Sequence, residues 1–123
     1  MQRGSSIPHF DVTAHDGRTV RYSTIWQQRN LLLVTLPSSG ADAYLKGLAE
    51  RSPDIAAHDA ECVITRDSIP GVPSPAVVIA DRWGEVMFVA SPERTEALPV
   101  PDEIIEWLAY AQVRCPECEG EAR

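Results

Sequence analysis

Basic residues are scarce in this chain. Its 123 residues include 18 acidic side chains and only 11 basic ones, which gives a formal net charge of −7, and Lys46 is its one lysine. Affinity for phosphate backbones and anionic lipid headgroups comes from clustered Lys and Arg, so we expect neither nucleic acid nor an anionic membrane surface as a partner. At this length we expect one domain, which is large enough to fold without disulfide bonds or bound metal ions.

Cysteines and long apolar runs are scarce as well. The chain has 3 cysteines, and an odd number cannot form a closed set of intramolecular disulfides, which argues against a secreted, disulfide-stapled scaffold. The longest aliphatic run, residues 31–34, is far too short to span a membrane, and the polar residues 1–6 do not read as an export signal. These features predict a soluble, acidic, cytoplasmic domain whose thiols need an explanation.

The apolar pattern predicts that the domain begins with a β-hairpin. Residues 10–12 alternate between apolar and polar side chains, and residues 20–22 do so again after the turn dipeptide Asp16-Gly17. Ser23 is then expected to cap a short helical turn that carries Trp26.

A βαβ unit is predicted next. Residues 31–36 place apolar side chains on both faces of the strand, which is typical of a central strand covered on both sides. Apolar residues at helical spacing from Tyr44 to Ala49 predict a helix of about three turns that Pro53 ends. Residues 62–64 form a second buried strand, so the unit should cross over right-handed and its strands should pair in parallel.

The last third of the chain predicts a second hairpin and a terminal helix. Residues 66–75 are too short and too rich in proline to hold another crossover helix. Residues 76–79 and 86–89 are joined by the turn 81–84, which ends in glycine, and should pair antiparallel. Pro101 can start a helix whose buried stripe would be Ile104, Ile105, Leu108 and Ala111.

This α/β order resembles the thioredoxin-like sandwich, and the added N-terminal β-hairpin is similar to that of the peroxiredoxin or redoxin family of the alkyl hydroperoxide reductase and thiol-specific antioxidant type. The resemblance covers residues 7–112 and implies a central mixed β-sheet flanked by helices. We therefore expect a thioredoxin-like domain at residues 1–112 and an acidic tail at residues 113–123. The matching motifs are Ile7-Pro8-His9-Phe10-Asp11-Val12, Asp16-Gly17, Ser23-Thr24-Ile25-Trp26, Ser74-Pro75-Ala76-Val77-Val78 and Asp81-Arg82-Trp83-Gly84-Glu85-Val86.

The resemblance implies descent from a thiol-dependent peroxide or disulfide oxidoreductase, with its catalytic cysteine in the loop after the first central strand. Here that loop, residues 37–43, contains no cysteine. With Tyr44 aligned on the start of the following helix, a Cys-x-x-Cys pair would fall on Ser38 and Ala41. Serine forms no disulfide, so ordinary peroxidase turnover is not expected. By the same resemblance, Pro75 would be the cis-proline that borders the active site.

Ser38 and Ser39 are predicted to cap the helix that follows them, since serine is among the best capping residues. The alternative is a hydrolytic nucleophile. That alternative would need one of three histidines, His9, His15 or His58, to complete a triad, and no Gly-x-Ser-x-Gly elbow surrounds either serine.

The remaining candidate for sulfur chemistry is the Cys115-Pro116-Glu117-Cys118 segment near the C-terminus. It follows a helix rather than opening one, so the helix dipole and the neighbouring glutamates should raise the pKa of both thiols. Three interpretations stay open. The pair is incidental, or Cys115 and Cys118 are a catalytic dithiol that exchanges with a thioredoxin-type partner, or they bind zinc with ligands from elsewhere, including a second chain in a homodimer. No cofactor is predicted.

A non-catalytic role competes with the dithiol hypothesis. In it, a groove beside Ser38, Ser39 and Pro75 holds an extended polypeptide or another redoxin. Cys62 is then a small core residue of a buried strand. Among the aromatic side chains, Trp83 in the hairpin turn is expected to be exposed, and three others are expected in the core: Trp26, Phe88 and Trp107.

Overall fold

The computed structural model describes residues 1–113. The strands are β1 (Asp11–Thr13), β2 (Thr19–Arg21), β3 (Asn30–Thr35), β4 (Ala60–Thr65), β5 (Ala76–Ala80) and β6 (Val86–Ala90). The helices are α1 (Asp42–Glu50), α2 (Ser52–Ala57) and α3 (Pro101–Val113), with single 3-10 turns at Tyr22–Thr24 and Thr95–Ala97. Apart from Val113, the predicted acidic tail lies outside the described residues.

A four-stranded mixed sheet, in the order β4-β3-β5-β6, forms the centre of the molecule. Strand β3 pairs in parallel with β4, where Leu33 lies opposite Val63, and antiparallel with β5, where it lies opposite Val78. Strands β5 and β6 form the predicted antiparallel hairpin, and β1 and β2 form a separate two-stranded one. The predicted βαβ unit, both hairpins and the α/β fold class are confirmed.

Strand β3 is buried along its whole length because both faces of the sheet are covered. Leu31 and Leu33 point to the side of the N-terminal hairpin and pack with residues such as Phe10 and Val12. Leu32 and Val34 point to the opposite side and pack in a second core with the helices. An apolar strand of this kind is stable only between two such layers.

One local prediction is incomplete and one is wrong. Helix α1 ends at Glu50, before Pro53 as predicted, but an unpredicted helix, α2, follows it, and Pro53 lies in its first turn, where proline's missing N–H has no helical partner to lose. Ser23 caps nothing, because the 3-10 turn begins after Arg21 without a side-chain cap, and Thr24 instead donates from Oγ1 to the Arg21 carbonyl oxygen at 2.8 Å.

The predictions for the aromatic side chains are only partly correct. Trp83 is exposed, as predicted, but so is Trp26, at 37%. The Trp26 indole Nε1 donates to the carbonyl oxygen of Trp83 at 3.2 Å, so this ring lies on the β5–β6 turn rather than in the core. Phe88 and Trp107 stack on each other at 5.0 Å and pack against the core while staying partly exposed. Within residues 1–113, no helix combines the length and apolar character needed to cross a membrane.

Candidate functional site

The loop that the resemblance marks as catalytic lies between β3 and α1, at the carboxyl end of β3. Thr35, the last residue of β3, pairs with Ala76, the first residue of β5, so the segment preceding Ala76 lies beside this loop. Thr35 Oγ1 donates to the carbonyl oxygen of Pro73 at 2.6 Å. The Ser74–Pro75 peptide bond in that segment is cis. Pro75 and the loop therefore share one end of the sheet.

The two loop serines are exposed and do not cap α1. The N-cap residue is Ala41, whose φ of 64° and ψ of 22° are left-handed, and no side chain caps the helix. Gly40, at a φ of 88°, is left-handed too. The predicted cap by Ser38 or Ser39 is wrong, because two left-handed residues turn the chain into the helix and leave both serines too early to reach its first amides.

Arg66, which sequence reasoning missed, holds this loop in place. Its Nη1 donates to the carbonyl oxygen of Pro37 at 2.7 Å and its Nη2 donates to that of Gly40 at 2.8 Å. Asp42 lies 3.5 Å from the same Nη2. Arg66 directly follows β4, and the carboxyl ends of parallel strands meet at one edge of a sheet. Its place after the second strand of the βαβ unit was the signal that could have found it.

Cys62, the one cysteine among the described residues, is not at this loop. It pairs with Leu32, three residues before the end of β3, which is roughly 10 Å along the strand. The thiol is half-buried, and burial, helped by the charge of Glu61, raises its pKa to about 12. Cys62 packs against the core beside the helices, so it is a structural residue at the margin of the core.

The direction of α3 shows where the chain leaves the described domain. Near its start, Tyr44 donates from its hydroxyl to the Pro99 carbonyl oxygen at 2.6 Å, beside the loop. Further along, Trp107 stacks on Phe88 and lies 5.7 Å below the guanidinium of Arg3, toward the amino end of β3. A 13-residue helix is about 20 Å long. Cys115 and Cys118, the predicted catalytic pair, lie outside the described residues.

A cavity of about 490 Å³ opens at the N-terminus of α1. We call it the α1–α3 groove. Its described lining comes from two segments, residues 41–44 and residues 95–101, and includes neither the loop serines nor Pro75. It lies between the starts of α1 and α3, and the groove beside Ser38, Ser39 and Pro75 stays a prediction. Burial raises the pKa of the Tyr44 hydroxyl, so this side chain stays a neutral donor that joins the two walls.

None of the three histidines contacts a loop serine in residues 1–113. The His9 ring lies against Tyr22 and Trp26, at centroid distances of 5.1 and 5.2 Å. His58 Nδ1 is 2.8 Å from the Asp54 carbonyl oxygen, and His15 lines a different cavity together with Cys62. The described residues therefore offer no histidine that could act as a general base on Ser38 or Ser39, and the hydrolytic alternative has no structural support. Residues 1–113 also contain no group of three or more His, Cys, Asp or Glu side chains that could hold a metal ion.

No protein-family model matches this sequence, and no curated protein matches it either. Solved structures do. The mitochondrial 2-Cys peroxiredoxin from Plasmodium falciparum superposes with a TM-score of 0.73 at 10% identity, over 89% of this chain and 93% of that one. Peroxidoxin BcpB from Mycobacterium tuberculosis gives 0.67 at 15% identity, over 94% and 99%.

A thiol:disulfide interchange protein of the thioredoxin family from Chlorobium tepidum gives a TM-score of 0.64 at 10% identity, over 91% of this chain and 99% of that one. Such low identities establish the fold alone. The superpositions cover about nine-tenths of this chain or more. The chain therefore has the thioredoxin-like fold that these peroxiredoxins and thiol:disulfide interchange proteins share.

Proposed function

We propose that this protein is a non-catalytic binding module that holds an extended polypeptide at the end of the sheet where β3 finishes. The observation that carries the proposal is the serine at position 38, which stands where the resemblance places a catalytic cysteine, in a loop whose carbonyl oxygens at Pro37 and Gly40 accept hydrogen bonds from Arg66. Because the loop keeps its hydrogen bonds to Arg66 but contains no cysteine, it is suited to binding rather than to sulfur chemistry.

Cys62, the cysteine that the structure describes, argues against redox turnover at the carboxyl end of β3. Thiolates, not thiols, attack disulfides and peroxides. With a pKa of about 12, Cys62 is ionised to only about one part in a hundred thousand at pH 7. Its place in the middle of β4 also keeps it away from the loop.

The α1–α3 groove supports the binding role. Its volume of about 490 Å³ falls within the range of roughly 300–1,000 Å³ that is usual for ligand sites. The lining combines the apolar residues Leu98, Val100 and Pro101 with residues 41–44 at the start of α1. Leu98 is buried beneath the groove, whereas Val100 is 61% exposed at its margin.

Two measurements on the full chain test the proposal. A fluorescently labelled, reduced and alkylated unfolded polypeptide should bind, with a saturable rise in anisotropy. The same protein should neither consume hydrogen peroxide nor reduce insulin disulfides above the dithiothreitol background. Absence of binding, or turnover that survives in the double variant Cys115→Ser, Cys118→Ser, would contradict the proposal.

The Cys-x-x-Cys sequence at positions 115 and 118 favours a second candidate, a redox dithiol. One thiolate would attack the disulfide of a thioredoxin-type partner to form a mixed disulfide. The second would displace the partner's remaining thiolate, so the partner is reduced and Cys115–Cys118 is oxidised. Thiol counting with and without reductant, on wild type and Cys115→Ser, tests this candidate, which fails if neither thiol oxidises reversibly. Stoichiometric zinc that is lost in Cys118→Ser would instead indicate metal binding, shared by two chains in a homodimer.

A further inference from the structure

The floor and the margin of the α1–α3 groove differ in character. Leu98 is only 5% exposed and forms part of the second core, while Val100 is the most exposed large apolar side chain of residues 1–113. The Tyr44 hydroxyl already donates to Pro99, so it is engaged within the wall. An incoming chain therefore meets mainly apolar surface at the base of the groove.

The margin of the groove is acidic. Asp42 and Glu96 belong to its lining, which contains no Lys, Arg or His, and their side chains are 92% and 73% exposed. Glu103 lies in the first turn of α3, two residues after Pro101 of the lining, and adds a third negative charge at this end of the helix. These charges therefore favour a cationic ligand at the open side of the groove.

Two arginines lie near these carboxylates but leave the margin of the groove negatively charged. Arg66 is 3.5 Å from Asp42, but its guanidinium is directed to the carbonyl oxygens of the loop. Arg94 is 3.5 Å from Glu96 and is 80% exposed, and exposed pairs of this kind are weak and easily exchanged. A cation of the ligand can replace Arg94 at little cost.

We infer that the groove selects a polypeptide segment in which an apolar side chain is flanked by Lys or Arg. The apolar side chain packs on Val100 above Leu98, and the flanking cations face Asp42, Glu96 and Glu103. This inference rests on the proposed function and adds the chemistry of the partner. A second copy of the chain fits less well, because each copy carries a net charge of −7 and a single lysine.

Three labelled nine-residue peptides test the inference by anisotropy with the full chain. The first has a central Leu-Val flanked by one Lys and one Arg, the second has Glu at both flanking positions, and the third has Ser-Ser in place of Leu-Val. The first should bind at least tenfold more tightly than either of the others. Its affinity should fall between 50 and 300 mM NaCl, since salt screens exposed charges.

Matched variants locate the effect. Glu96→Gln should weaken the first peptide by about two- to fivefold, as expected for an exposed charge pair. Glu50→Gln makes the same charge change at the far end of α1 and should leave the affinity unchanged. Val100→Ser should weaken binding about tenfold and Val100→Ile should not. Because Val100 accepts from Ile104 N–H at the start of α3, a serine there suits the helix cap and should not unfold it.

Equal affinity for the basic and acidic peptides would overturn the inferred charge preference, and an equal loss in Glu50→Gln would do the same. Failure of the basic peptide to bind would also overturn it. Binding of the unfolded polypeptide is scored separately, so the proposed function stands if that polypeptide binds and falls if it does not.

Discussion

The guanidinium Nη1 of Arg66 lies 2.7 Å from the carbonyl oxygen of Pro37 and ties the end of β4 to the loop after β3. Its Nη2 reaches Gly40 in the same loop. One side chain thus satisfies two loop carbonyls and brings a positive charge close to the start of α1. Four predictions follow from this geometry and from the cores on either side of the sheet.

Replacing Arg66 should loosen the loop. Arg66→Ala removes both charged hydrogen bonds and should lower the free energy of unfolding by about 1–3 kcal/mol. Arg66→Lys should recover only part of this, since a point charge cannot serve both carbonyls as the planar fork does. Urea unfolding gives the values, and amide exchange should accelerate at residues 38–42. Arg94→Ala, at an exposed ion pair, is the control and should change stability by less than about 0.5 kcal/mol. Equal losses of stability in Arg66→Ala and Arg94→Ala would show that the two hydrogen bonds from Arg66 to the loop contribute no more than an exposed ion pair.

Ser38→Cys should create a reactive thiol. The charge of Arg66, which donates to the carbonyl oxygens of Pro37 and Gly40 on either side of Ser38, favours the thiolate, so the pKa of the new thiol should fall below the usual value of about 8.5. The rate of alkylation by iodoacetamide against pH gives this pKa, measured in the Cys115→Ser, Cys118→Ser background. Ser23→Cys, on an exposed 3-10 turn away from α1, is the matched control. A Ser38→Cys thiol with the same pKa as the control would contradict the electrostatic description of the loop.

Cys62 should resist alkylation in the folded protein, and its thiol should make stability depend on alkaline pH. Its pKa of about 12 means that the folded state keeps this proton while the unfolded chain loses it near pH 9. Stability from the neutral thiol is therefore complete below pH 9 and is lost as the pH rises from 9 toward 12. Cys62→Ala should show a shallower fall in stability over pH 9–11 than wild type. An identical slope would mean that Cys62 ionises normally.

Gly84→Ala should destabilise the protein more than Gly71→Ala. Both glycines have a φ of +85°, so each substitution carries the same left-handed penalty of about 1–2 kcal/mol. At Gly84 the new Cβ would also lie 3.3 Å from the Tyr22 hydroxyl oxygen and 3.5 Å from Trp26 Nε1, whereas nothing lies within 4 Å at Gly71. Thermal unfolding of both variants measures the effect: the lower midpoint expected for Gly84→Ala reports the cost of placing a Cβ against Tyr22 and Trp26. Equal midpoints would show that the turn has room to adjust.

The fold was largely predictable because apolar periodicity reports burial directly. Residues 31–36, with apolar side chains on both faces, were predicted as a central strand, and β3 covers all of them except Leu36. Helix α2 was missed because Pro53 reads equally well as the end of one helix or the first turn of the next. Trp26 was misplaced because its partner, the carbonyl oxygen of Trp83, is 57 residues away along the chain.

The candidate site was less predictable. The interpretation that Ser38 and Ala41 replace a Cys-x-x-Cys pair rests on the resemblance and the sequence alone. Arg66 and the α1–α3 groove do not, because each depends on residues that meet only when strands pair and helices start side by side. Tyr44 illustrates the point, since its bond to Pro99 joins two walls of the groove across 55 residues.

The most direct test of the account is an NMR titration of the ¹⁵N-labelled full chain with the reduced and alkylated unfolded polypeptide. We predict saturable shifts concentrated in residues 37–44 and 95–101, with the amides of Trp83 and Tyr110 unchanged. Shifts that are largest around Trp83 or Tyr110, or no shifts at saturating polypeptide, would contradict the claim that this thioredoxin-like fold binds a polypeptide at the end of its sheet where β3 finishes.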